Sequence, residues 1–356
     1  GPHPTIPAAQ RRVRPQWTAV TVHGWPVGSG GFLGVVARLG KRFGEGLGVV
    51  GAVTWLDNIG KRTGVNDAND GTRPDAPRRT LASARARFLS MNAGDTVALC
   101  RGGAWDGWVG PIANARCTAA DPCDWRDYAP GGDLALPRPR IEAPSGASIF
   151  RVDSGGARTR GYRFWNLDLR QPDTAGGSIF SFYGDTRDVD VCNVEMTRGG
   201  TAVILQVSGG KEATGFVFRH NRIVEPRMGL YGGAQGLLVD SNVFEGSWRA
   251  SGYQNHAVYA GRGYDMGGWD GERYVNNAFR TTGPCDSVVF VVHGMHNDLL
   301  VENNLFSTED PGVDAHCYAI DASSSNSPAR HRPPQIRRNR LRGPTQALGL
   351  SNCQGR

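Results

Sequence analysis

The chain has 356 residues, 50 of them glycine and 21 proline, a balance that suits many tight turns and argues against long helices. Lysine and arginine number 40 against 33 aspartates and glutamates, for a net charge of +7, so a polyanionic partner is expected. No apolar run reaches the ~18 residues needed to span a bilayer, and nothing calls for a partner subunit, so the expectation is a soluble monomer with no membrane span.

In chain order, helical spacing comes first. Phe32, Val36, Leu39 and Phe43 share one face, and Leu81, Ala84 and Phe88 repeat that spacing after Pro74 and Pro77. Either segment could cap the open end of a repeating structure, whose exposed edge would otherwise invite aggregation. The glycine-rich stretch 28–51 is no phosphate loop: five residues separate Gly34 from Gly40, and Arg42 follows Lys41 where a hydroxyl is required.

The second half carries the strongest pattern. An asparagine followed by alternating apolar and polar residues recurs in FWNLDL, VCNVEM, RHNRIV, DSNVFE, VNNAFR, ENNLFS and RRNRLR, centred on Asn166, Asn193, Asn221, Asn242, Asn277, Asn304 and Asn339. Successive positions differ by 27, 28, 21, 35, 27 and 35 residues, the period of one supersecondary unit per repeat. Stacked asparagines at a coil corner can bond each other and the backbone groups that the bend leaves unpaired, so a ladder of seven amides is expected. A second strand-like run lies upstream of the later asparagines: AVILQV, GLYGG, HAVYAG, SVVFVV and CYAID. Residues 1–66 thus read as an N-terminal extension and cap, and 67–356 as one all-β solenoid.

The segment NDANDGTRPDAPRRTLASARARF, followed by GDTVALCRGGAWDG, resembles the entry module of right-handed parallel β-helix proteins of the pectate-lyase-like superfamily. The residues that carry the likeness are Asp70, Gly71, Thr72, Pro77, Thr80, Leu81, Gly94, Asp95, Thr96, Val97, Arg101, Gly102 and Trp105. With the asparagine repeats it covers about Asp67 to Cys353. The resemblance implies a single-domain right-handed parallel β-helix with an N-terminal capping helix, and an activity on polysaccharides by β-elimination or hydrolysis, or adhesion alone.

Seven cysteines leave at least one thiol free. Cys117 and Cys123 enclose a short loop, and Cys285 and Cys317 fall at equivalent places in adjacent coils, so two disulfides and a secreted or periplasmic location are expected. A basic patch, Arg330, His331, Arg332, Arg337, Arg338, Arg340 and Arg342, fits either an acidic polysaccharide or a solvated outer face. Nucleic acid is not expected, since no recognition module or interleaved aromatics accompany it.

β-Elimination of a uronide needs a group to neutralise the carboxylate, a base for the C5 proton and an acid for the leaving oxygen. The segment NHAVYAGRGYD concentrates such groups: His256, Tyr259, Arg262, Tyr264 and Asp265. Adjacent coils, ~4.8 Å above and below, offer Arg227, Tyr231, His293, His296 and Asp321. The expected catalytic residues are therefore His256, Tyr259, Arg262 and His293, with Tyr231, Arg227, Trp248, Trp269, Asp265 and Asp321 binding substrate, the two indoles by stacking on sugar rings. Alternation along a strand would put His256 and Tyr259 on opposite faces unless His256 escapes it. No cofactor is required by this chemistry, although His293, His296 and Asp298 could hold a divalent cation such as Ca2+. Hydrolysis, the alternative, needs two carboxylates ~5 to 9.5 Å apart, and Asp185, Asp188 and Asp190 do not form a recognisable pair motif.

Overall fold

The computed structural model describes residues 53–56, 67–69, 71–72, 76–153, 159–206, 213–248, 255–261, 269–293, 296–309, 317–323, 334–343 and 346–349. The chain winds as a parallel β-helix. Three parallel sheets run its length, and each coil contributes one strand to each in turn. Sheet one has ten strands, from Val53–Leu56 to Gln335–Arg337; sheet two has nine, from Ala104–Asp106 to Arg340–Arg342; sheet three has nine, from Gly110–Ile112 to Gln346–Gly349. One coil shows the order: Leu238–Asp240 in sheet one, Val243–Trp248 in sheet two, His256–Gly261 in sheet three, then Arg273–Val275 back in sheet one. The first strand, Val53–Leu56, pairs with Thr96–Cys100, so sheet one begins upstream of residue 67.

Inward side chains from the three sheets fill one continuous apolar core, because equivalent residues of successive coils sit directly above one another. Phe244, Phe279 and Phe306 stack in this way, with ring centroids 5.0 and 4.7 Å apart. The entry end is covered by the helix Leu81–Ser90, which buries Leu81, Ala84 and Phe88 and sets Phe88 against Trp125 and Tyr162. Thr80 caps it, its hydroxyl accepting from the Ser83 N–H. The apolar spacing at Phe32 to Phe43 lies outside the described residues.

The asparagine ladder has five rungs, not seven. Each of Asn221, Asn242, Asn277 and Asn304 donates from Nδ2 to Oδ1 of the next, at 2.9 to 3.0 Å, ending on Asn339. The backbone N–H of each donates to that same Oδ1, and Nδ2 also donates to a carbonyl of the preceding coil, as Asn277 does to Val239. The strand register places Leu167 and Val194 at the ladder position of the earlier coils, both fully buried. Asn166 and Asn193 stand one residue earlier, at left-handed positions with φ of 59° and 55°. His220, Ser241, Asn276, Asn303 and Arg338 continue that column with φ of 56° to 58°. Asparagine tolerates this conformation better than most residues, so the same residue type recurs for two different reasons at adjacent positions.

Both expected disulfides are present, Cys117–Cys123 and Cys285–Cys317, and the second ties adjacent coils together. Among the described residues Cys100 and Cys192 are in no disulfide. Two disulfides fit an oxidising, extracytoplasmic compartment, and among the described residues no helix is long and apolar enough to cross a membrane. In the basic patch, Arg337 and Arg338 lie against Glu302 at 3.1 and 3.4 Å; Arg330, His331 and Arg332 lie outside the described residues.

Candidate active site

The outer face of sheet three carries the chemistry-bearing side chains. Its strands Met228–Gly232, His256–Gly261, Val288–His293 and Tyr318–Ser323 stack in register, which aligns Tyr231, Tyr259, Val291 and Asp321 in one outward column. His293 is the next outward residue along its strand, opposite Gly261. Tyr259 leans across to it: the Tyr259 Oη and His293 Nδ1 are 2.8 Å apart. Gly261 makes room, since a Cβ there would meet Tyr259 Cε1 at 3.1 Å and His293 Cβ at 3.3 Å. Tyr231 is exposed, with its ring 5.4 Å from that of Tyr259.

His256 escapes the strand alternation. Ala257 and Val258 both enter the core, as do Ile179 with Phe180 and Val289 with Phe290 at the same corner of other coils. Two consecutive inward residues mark a bend in the strand, and it returns His256 to the side of Tyr259, with ring centroids 5.7 Å apart. The side chain is buried, and Nδ1 lies 2.6 Å from the Val288 carbonyl oxygen. A carbonyl only accepts, so Nδ1 carries the proton and Nε2 of the neutral ring keeps its lone pair. That Nε2 is buried with no hydrogen-bond partner among the described residues.

Burial holds the His256 pKa below the ordinary imidazole value, with His293 adding to the effect against the Val288 carbonyl. Burial likewise lowers His293, helped by His296 and opposed by Asp321. Both rings are therefore neutral at neutral pH. Behind His293, the buried His296 sits between Glu272 Oε2, 2.6 Å from its Nδ1, and the His293 carbonyl, 3.0 Å from its Nε2. Glu272 is fully buried, and its Oε1 accepts from the Ala234 N–H at 3.2 Å. A Cβ at Gly233 would fall 2.3 Å from that Oε1 and 2.5 Å from the Trp269 ring.

The expected site residues thus divide. Tyr231, His256, Tyr259, His293 and Asp321 come together on one face. Arg227 is half-buried on the turn leading into Met228–Gly232, where its N–H donates to the Gly199 carbonyl. Arg262, Tyr264 and Asp265 lie outside the described residues. Trp248 and Trp269 do not offer stacking faces: both indoles are buried in the core, the commoner fate of large aromatic rings. The alternative of a cation held by His293, His296 and Asp298 does not fit the geometry, because both His296 nitrogens are taken by Glu272 and the His293 carbonyl. Among the described residues no group of three or more histidine, cysteine, aspartate or glutamate side chains is placed to hold a metal ion. The Glu272–His296 pair went unseen in the sequence, since 24 residues separate its members. Only the coil register, which pairs Trp269–Asp270 with His296–Asn297, brings them together.

No known family matches the sequence, and no curated protein is similar to it. Solved structures are similar to this chain in part. An alginate lyase from Paenibacillus sp. str. FPU-7 superposes with a TM-score of 0.51 at 13% identity, over 76% of this chain and 96% of that one. A GH136 lacto-N-biosidase from Eubacterium ramulus gives a TM-score of 0.42 at 13% identity, over 82% of this chain and 68% of that one. These neighbours are carbohydrate-active enzymes, one a polysaccharide lyase and one a glycosidase, and at 13% identity the likeness to the lyase is one of fold alone.

Proposed function

We propose that the protein is a secreted or periplasmic polysaccharide lyase that cleaves a uronate-containing glycan by β-elimination on the outer face of sheet three. The observation that carries this reading is the hydrogen bond between the Tyr259 phenol and His293 Nδ1, beside a second neutral imidazole. A neutral His293 can accept the phenol proton, so that the phenolate removes the C5 proton of a uronide bound over Tyr259. The C5–H and C4–O bonds then break, the C4–C5 double bond forms, and the proton passes to the leaving oxygen. Tyr231 offers an exposed ring to the neighbouring sugar. Arg227 and Arg262 are the cations assigned to the substrate carboxylate, and Asp265 and Asp321 to sugar hydroxyls.

Hydrolysis fits this face less well. Among the described residues near the Tyr259–His293 pair, Asp321 is the carboxylate on the outward column, and Glu272 is buried and bonded to His296. Those two are not the pair of accessible carboxylates that glycoside hydrolysis requires.

The test is incubation with alginate, pectate, glycosaminoglycans and bacterial exopolysaccharides while ultraviolet absorbance of the unsaturated uronide is followed. A rise in absorbance with at least one of these is expected. Reducing ends formed without it would replace elimination by hydrolysis, and retention on a glycan column with neither would leave a binding protein.

A further inference from the structure

Both ring nitrogens of His296 face acceptors. Nε2 meets the His293 carbonyl oxygen, which cannot donate, so it must carry a proton. Nδ1 meets the Glu272 carboxylate, whose other oxygen already takes the Ala234 N–H. One proton must occupy the short Nδ1 to Oε2 contact, and placing it on the imidazole makes a charge-assisted pair. The surroundings fix this arrangement: Gly233 and Trp269 pack against Glu272, and His296 belongs to the two-stranded pairing with Trp269–Asp270.

We infer that His296 is a positioning residue held as an imidazolium by Glu272, which anchors the end of the strand bearing His293 and discourages a second proton on that neighbouring ring. This rests on the reading of His293 as the partner of Tyr259. Its physical content, the charge on His296 and its effect on His293, can be measured without turnover.

Every titratable neighbour is consistent with this state. Burial works against charge on His296, but the Glu272 charge and hydrogen bond, with the carbonyls of His293 and Ala260, outweigh it and raise its pKa. Tyr274, buried beside Glu272, stays a neutral phenol, its pKa pushed well above the ordinary value by burial and by that carboxylate. Around His293 stand Tyr259, Asp321, His256 and His296; burial and His296 depress its pKa and Asp321 opposes them.

The experiment is 15N–1H spectroscopy of the full chain labelled in histidine, with the His296 signals identified by His296→Gln. At pH 7.5, about one unit above an ordinary imidazole pKa, both His296 nitrogens should still carry protons. A neutral tautomer there overturns the proposal, whether or not Glu272→Gln folds. Glu272→Gln keeps an amide against His296 and removes the charge. It should make His296 neutral at pH 7.5 and raise the His293 midpoint by roughly half a unit to one unit; an unmoved or lowered midpoint overturns the coupling. The two readings fail separately: these shifts without elimination on any uronate glycan would sink the lyase assignment alone, and elimination with a neutral His296 would sink this inference alone.

Discussion

Two corners of the coil treat buried polar groups in opposite ways. At the corner between sheets one and two, one residue type repeats, and each asparagine satisfies the coil above and the coil below through the same bonds. On the outer face of sheet three, no polar residue runs through the coils: tyrosine occupies its column in two adjacent coils, at Tyr231 and Tyr259, and then gives way to Val291 and Asp321. Tyr259, His293, His296 and Glu272 bond to unlike partners, and His256 Nε2 is buried with no partner among the described residues. A repeated polar group solves a problem that every coil has, namely backbone left unpaired by a bend. A polar group used once solves no general problem, and an orphaned one costs ~1 to 3 kcal/mol unless something else uses it. That contrast separates scaffold from site without reference to any relative.

The largest effect should come from the unrepeated corner. Tyr259→Phe removes the phenol and little else, so turnover should fall ~100-fold or more while the unfolding midpoint stays close to that of the parent. Initial rates of absorbance increase, set beside a denaturant titration, measure both. Activity within a few-fold of the parent would remove this strand from the mechanism. His256 needs a gentler change than truncation because its ring is buried. His256→Gln should lower turnover and cost some stability as well.

The repeated corner should respond in stability alone. Asn277→Leu installs the residue type that Leu167 supplies at the same corner upstream, but here it strands the Asn242 backbone N–H, one of the two N–H groups of the Asn242 side chain and the Val239 carbonyl. Unfolding should become easier by on the order of 3 kcal/mol. Asn166→Gly, at a left-handed position outside the ladder, loses only part-buried bonds to Asn193 and Asp127 and should cost less. Equal losses in the two variants, read by urea titration, would erase the distinction between ladder and left-handed column.

The sequence made the ladder visible because the same residue recurred in the same local pattern every 21 to 35 residues, and the physics of a stacked corner demands that recurrence. It hid the one-residue offset, since asparagine suits both the ladder and the left-handed position before it. The signal was present in the spacing to the inward residue of the following strand: Leu169 and Met196 follow their asparagines by three positions, whereas Ile223, Phe244, Phe279 and Phe306 follow by two. Tyr259 and His293 were reachable from the coil repeat. The shared face of His256 and Tyr259 was not, because the bend that allows it interrupts the alternation used to assign faces. Trp248 and Trp269 were misplaced for the opposite reason, since composition says nothing of which side of a turn an indole falls on.

The two corners should also differ in their response to acid. Asparagines do not titrate, so the ladder is indifferent to pH. His256 and His293 have folded pKa values below the ordinary 6.5, which means that folding favours their neutral forms. Their contribution is fully present above about 6.5 and is lost as pH falls from there toward the depressed folded values. His296 runs the other way: its contribution is present below about 6.5 and is lost as pH rises through its raised folded value. Turnover should therefore fall on the acid side as His293 takes up a proton. An activity that rises as pH drops below 6 would contradict a neutral His293 as acceptor.

The smallest effect tests whether the entry end belongs with the scaffold. The cap of the helix Leu81–Ser90 is built from Thr80 and Asp67, whose carboxylate accepts from the N–H groups of Arg79 and Thr80 and from the hydroxyls of Thr80 and Ser83. Modest burial opposes the charged carboxylate, but these four hydrogen bonds outweigh it and lower its pKa from 3.8 to about 2. Stability from this cap is thus complete above the ordinary carboxylate value and is lost as pH falls from there to about 2. Thr80→Ala should cost about 1 kcal/mol at neutral pH and leave turnover unchanged, because the helix touches the entry coils and the site lies several coils away. A parallel loss of activity would mean that the entry end and the catalytic corner are coupled through the core, and the separation of scaffold from site would have to be redrawn.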